Sequence, residues 1–190
     1  MTFTEGIMTK AEIHIQNTTP DNVIINQKGM TLTIRMRAKS YKDVSVNVFL
    51  TPGVNTIREI NTGTGGSVFT DILLKGDHLK LEAGGDGSMK LDVEMNTIEA
   101  TTSSSLIELT GTAKYLEVDV SAGGKFKGAQ LETIEVNASA NLGSTVQVWA
   151  TEKLVGKAAT GAKIEYAGDP AKVEVRTSLG GKVEKLVISD

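Results

Sequence analysis

Carboxylates are the side chains of this 190-residue chain best equipped for chemistry, and their spacing keeps them apart. Glu82, Glu94, Glu108, Glu117, Asp119 and Glu135 each stand singly between apolar neighbours in alternating runs. Acid–base cleavage of a sugar chain, or calcium-assisted elimination, needs carboxylates converging on one point, commonly beside a basic residue. Stacked strands would align Glu117 with Glu135. Interleaving with Lys80, Lys114 and Lys153 reads instead as ladders of solvated charge.

Other reactive constellations are equally sparse. Gly84-Gly85-Asp86-Gly87-Ser88-Met89 shares glycines and an aspartate with calcium-binding nonapeptides, but in the wrong order and only once, so a tight turn is expected there. His14 and His78 are far apart and lack the spacing of a zinc pair. Ser103-Ser104-Ser105 has no GxSxG elbow around it, and there are no cysteines to serve as nucleophile, thiolate ligand or disulfide. The expected catalytic, metal and cofactor sets are therefore empty.

Recognition chemistry has more to draw on. Tyr115, Trp149 and Tyr166 can each offer a flat apolar ring with a polar handle. Trp149 follows Val146 and Val148 with opposite parity and should point outward, while Tyr166 shares the parity of Ile164 and should lie inward or at a corner. Trp149 is thus the surface-binding candidate. A net charge of −3 and a pI near 5.5 give no electrostatic footprint for nucleic acid. No apolar run reaches the roughly 20 residues of a membrane-spanning helix, and MTFTEGIMTKAEIHIQ lacks the pattern of a signal peptide. If the natural protein is exported, that signal has been removed from this chain.

The elements that must position these residues are strands. The chain holds 17 valines, 14 isoleucines and 22 threonines, with 20 glycines and only three prolines. Such a β-branched, glycine-punctuated mixture favours an all-β fold. Aromatics at 4% call for a core of thin aliphatic layers. Short alternating runs recur with a period near 19 residues, with apolar anchors at Ile60, Leu79, Ile98, Leu116, Ile134, Leu154 and Val173. A second series runs through Met89, Leu106, Phe126, Val146, Ile164 and Val183.

Within a unit, Leu79 with Leu81, Leu116 with Val118 and Val120, and Ile134 with Val136 would share a buried face. Lys80, Glu117, Asp119 and Glu135 would face solvent. Glycines at 84–85, 123–124, 143, 161 and 180–181 mark sharp turns that demand positive φ. This predicts a right-handed parallel β-helix, a solenoid of about 19-residue coils spanning residues 57–190, in preference to an antiparallel meander. The left-handed form needs apolar residues every six positions, and 79, 85, 91 and 97 read Leu, Gly, Leu, Thr. Residues 1–56 depart from the repeat. Their longer strands, at 11–16, 22–27, 30–38 and 44–52, predict an N-terminal strand-rich cap ending at Pro52-Gly53. A helical turn is expected at KGDHL (75–79).

The stretch VQVWATEKLVGKAATGAKIEYAGDPAKVEVRTSLGGKVEKL (146–186) resembles the putative auto-transporter adhesin, head GIN domain family. The similarity extends through LEVDVSAGGKFKG (116–128) and LKLEAGGDGSMKL (79–91), and more weakly through residues 44–68. The family's Gly-Ser-Gly turns are replaced here by Gly84-Gly85-Asp86-Gly87, Ser103-Ser104-Ser105 and Ala138-Ser139-Ala140. The resemblance implies a noncatalytic envelope protein of Bacteroidetes-like bacteria, periplasmic or extracellular, whose β-helix presents a rigid surface to a glycan, a protein or an envelope component. Two alternatives stand beside it: a structural spacer that self-associates through a strand edge, and a β-helical carbohydrate-active enzyme.

Overall fold

The computed structural model describes residues 2–4, 8–28, 31–38, 40, 42–52 and 57–186. Fourteen strands follow in order: β1 (Thr2–Thr4), β2 (Met8–Gln16), β3 (Val23–Lys28), β4 (Thr31–Met36), β5 (Ser45–Pro52), β6 (Glu59–Thr62), β7 (Ser67–Gly84), β8 (Ser88–Ser103), β9 (Leu106–Ser121), β10 (Lys125–Ala140), β11 (Thr145–Ala158), β12 (Lys163–Ala167), β13 (Lys172–Thr177) and β14 (Lys182–Lys185). Among the described residues a single 3-10 turn lies at Pro20–Asn22. Among β6 to β14 every pairing is parallel. The result is a parallel β-solenoid of about seven turns.

Each coil from β7 to β11 is one strand of 14 to 18 residues bent across its middle, rather than two short strands. The sequence shows the bend as a slip in the alternation. In β8, Met89, Leu91, Val93 and Met95 are buried, and then Ile98, Ala100 and Thr102. The spacing of three between Met95 and Ile98 moves the buried parity to the opposite wall without breaking the ladder. KGDHL lies inside β7, so the expected helical turn is absent: Lys75, Gly76, His78 and Leu79 pair with Glu94, Met95, Thr97 and Ile98 of the next coil.

The two walls stack apolar residues in register. One carries Val68, Met89, Ile107, Phe126, Val146, Ile164 and Val183. The other carries Ile60, Leu81, Ala100, Val118, Ala138, Gly156 and Val175, with Leu79, Ile98, Leu116, Val136, Leu154 and Val173 two residues earlier. Three expected anchors are corrected. Ile60 pairs with Leu81 rather than Leu79, and Ile107 rather than Leu106 stacks on Met89. Ile134 is 37% exposed, and Val136 occupies the core position, because Ile134 falls in the three-residue gap from Thr133 to Val136, in register with the Met95-to-Ile98 gap at which the coil bends.

Opposite the bends, the walls are joined by two-residue turns with positive φ at both centres, including Ala122-Gly123, Leu142-Gly143, Thr160-Gly161 and Leu179-Gly180. Each closes by an i to i+3 bond such as Gly124 N to Ser121 O at 2.9 Å. The turns also bond to one another along the column, as in Gly143 N to Thr160 O at 3.0 Å.

The first strands run differently. β1 pairs antiparallel with both β6 and β4, and β4 pairs antiparallel with β3, so an antiparallel sheet continues from the first parallel rung. β2 and β5 form a separate antiparallel ribbon. Pro52 ends β5, and Gly53 lies outside the described residues.

Candidate functional site

Outward positions on both walls form rows of fixed side chains. Lys75 and Lys90 on one wall reach Glu94 and Glu108 at 2.7 and 2.8 Å, and Lys80 on the other reaches Glu82 at 2.6 Å. Lys163 is held between Glu165 at 2.6 Å and Glu184 at 2.5 Å, and Gln147 Nε2 donates to Glu165 at 2.9 Å. These hydrogen bonds push the Lys163 ammonium up to about 12 and hold the Glu165 carboxyl below its usual range. The carboxylates singled out in the sequence are therefore spread along the column. Glu117 neighbours Glu99 and Asn137, whereas Glu135 pairs with Tyr115, so the expected Glu117–Glu135 alignment does not form. The β9-to-β10 offset is 20 residues there, after a bulge between Lys127 and Gln130, whereas that alignment needs 18. Among the described residues no three His, Asp or Glu side chains gather as a metal site.

The two histidines are separate. His14 lies on β2 with its ring 5.0 Å from that of Phe49, and His78 Nε2 is 3.7 Å from Glu99. Gly85 and Asp86 both have positive φ, and Gly87 N bonds Gly84 O at 3.1 Å, which makes that glycine-rich segment a tight turn.

Trp149 stands between buried Val148 and Ala150 at an outward, half-buried position. It pairs with Glu132 and Ala167 on the flanking coils. Tyr166 is partly buried and packs on the core, as its parity implies.

A second aromatic pair lies where the β2–β5 ribbon meets the first coils. An open groove of about 530 Å³ is lined there by Ile34, Met36, Val46, Val48, Phe49 and Phe69, together with the Gly63–Ser67 turn. Phe49 is 47% exposed and Phe69 66% exposed. Arg35 and Asn47 add a cation and an amide to the lining. Apolar rings beside a few polar groups are the usual composition of a recognition site. Sequence reasoning considered only the tyrosines and the tryptophan. The available signal was parity: Phe69 follows inward Val68, and Phe49 follows Val48, which is less exposed.

No helix among the described residues is long and apolar enough to cross a membrane. No curated protein matches the chain. Several solved structures share its fold. A putative adhesin from Bacteroides fragilis aligns over 94% of this chain and 98% of its own, with a TM-score of 0.75 at 14% identity. A putative adhesin from Parabacteroides distasonis aligns over 93% and 83%, with a TM-score of 0.74 at 18% identity. A putative lipid binding protein from the same species aligns over 93% and 84%, with a TM-score of 0.67 at 20% identity. The family model described as putative auto-transporter adhesin, head GIN domain, matches residues 1–170, taking in the antiparallel strands and most of the solenoid, and the chain belongs to that family.

Proposed function

We propose that this chain is a noncatalytic domain of the cell envelope that binds its partner through a rigid surface, and that the partner is a glycan. Residues 1–56 serve as the N-terminal cap in this reading, and residues 57–190 as the solenoid. The observation that carries it is the pair of exposed phenylalanines, Phe49 and Phe69, at an open groove beside Arg35 and Asn47. Sugar rings present apolar faces that stack on aromatic side chains, and their hydroxyls need polar partners at the rim. The stacked ladder below holds Phe69 at a fixed position, so little ordering accompanies binding. Trp149 offers a second, separate contact. A protein or another envelope component would use the same groove, and an exported location, periplasmic or extracellular, follows from the adhesive role.

A glycan-array screen of the purified chain tests this, with Phe69→Ala and Trp149→Ala run in parallel. Specific binding lost with Phe69→Ala supports the groove, and loss with Trp149→Ala alone moves the site to the outer wall. Binding to no glycan removes the glycan reading and favours a structural spacer.

A further inference from the structure

Among the described residues, the most carboxy-terminal apolar rung of the solenoid is exposed. Val173 and Val175 sit in register above Leu154 and Gly156, yet they are 42% and 50% exposed. Val183 lies in the facing wall above Ile164. A Cβ built on Gly156 would meet Val183 Cγ1 at 3.3 Å and Val175 Cγ1 at 3.7 Å, so these two valines face each other across the core. Both terminal strands, β13 and β14, have a free edge in the described structure.

Backbone parity determines which groups that edge presents. Ser178 N donates to Ala158 O at 3.0 Å, and Lys182 N and Leu186 N donate to Ala162 O and Tyr166 O at 3.0 and 2.7 Å. Even-numbered residues thus turn their amides toward the sheet. Since N–H and C=O alternate sides along a strand, Val173, Val175 and Thr177 of β13, and Val183 and Lys185 of β14, turn theirs toward the open edge.

We infer that this end pairs antiparallel with the same end of a second copy about a twofold axis through Val175 and Val183. Three independent features fit one axis. First, Val175 and Val183 are edge-facing residues, so each can exchange both backbone hydrogen bonds with its own counterpart, as an antiparallel pair requires. Second, the same register places Glu174 opposite Arg176 of the other copy and Lys182 opposite Glu184, an opposite-charge pair on each strand, with Lys172 opposite Ser178. Third, an axis normal to the walls must pass both valines at once, and they face one another across the core. Pairing would cover Val173, Val175 and Val183 and close the core. A contact of this kind is isologous and stops at two copies, unlike head-to-tail stacking, which propagates. The inference does not depend on the adhesive reading.

Sedimentation equilibrium of the full chain over a concentration series tests it, with Glu174→Arg and the double variant Glu174→Arg/Arg176→Glu alongside. Glu174 is exposed at a free edge, so the single variant should fold normally, and its circular dichroism and melting check that. The expected result is a monomer–dimer equilibrium that the single variant weakens by roughly tenfold or more and the double variant restores. A chain monomeric up to about millimolar concentration overturns the inference. So does a dimer indifferent to both variants, or a ladder of species growing with concentration.

Discussion

The Trp149 indole rests against the backbone of Gly168. A Cβ at Gly168 would lie 2.8 Å from Trp149 Cδ1, 2.9 Å from Nε1 and 2.2 Å from the Ala150 carbonyl oxygen. Gly168 also has φ of +83°. The position therefore excludes a side chain on both steric and conformational grounds. Gly168→Ala is expected to destabilise the protein by about 2 kcal/mol or more. Trp149 is the sole tryptophan, so a red shift of its emission in the folded variant would report displacement of the ring. An unchanged spectrum and unchanged melting would contradict this packing.

Val118 is fully buried between Ala100 and Ala138 on adjacent coils. Val118→Asp would place a carboxylate in an aliphatic stack with no partner, at an expected cost of about 3 kcal/mol or more. Urea unfolding measures this, and a midpoint within error of the parent would refute the inward register.

Glu117, one residue earlier, points outward beside Glu99 on the neighbouring coil. Glu117→Lys replaces a like-charge neighbour with an opposite one in high dielectric. The expected change is a gain within about 0.5 kcal/mol. A loss of several kcal/mol in the same urea experiment would mean that the outer row is not a solvated ladder.

The folded protein holds the Glu165 carboxyl below its usual range, chiefly through the hydrogen bond from Lys163 and then that from Gln147. The unfolded chain takes up that proton first as pH falls. The contribution is therefore present above the ordinary glutamate value, about 4.3, and is lost on acidification through and below it. Lys163, pushed up to about 12, keeps its charge throughout that range. Glu165→Gln should melt below the parent at pH 7, with the gap closing below about pH 4. A gap that persists at about pH 3 would assign the effect to packing rather than ionisation.

Much of the fold was legible because a stacked coil repeats its own constraints. Period-two alternation, the spacing near 19 residues and the turn glycines all state one geometry, and Leu116, Val118, Val120, Phe126 and Val146 lie where that geometry requires. Ile134 misled because it lies in the bend between buried Thr133 and Val136, and an isoleucine in a strand reads as core until the neighbouring coil shows Val136 opposite Leu116 instead. The bend in each coil was hidden for a related reason. It appears only as a three-residue gap such as Met95 to Ile98, which reads as a strand end when a single coil is considered alone. The groove was least legible. Phe49 and Phe69 come from different segments and line one groove only because β5 approaches the first coils, a placement that neither local pattern encodes.

The most direct test of the account is a calorimetric titration of the strongest array ligand into the parent chain, Phe69→Ala and Trp149→Ala, with all three matched for melting temperature. The account predicts that Phe69→Ala weakens binding by roughly tenfold or more while Trp149→Ala leaves it within about threefold. Equal affinity in the parent and Phe69→Ala would contradict the assignment of the groove as the adhesive site.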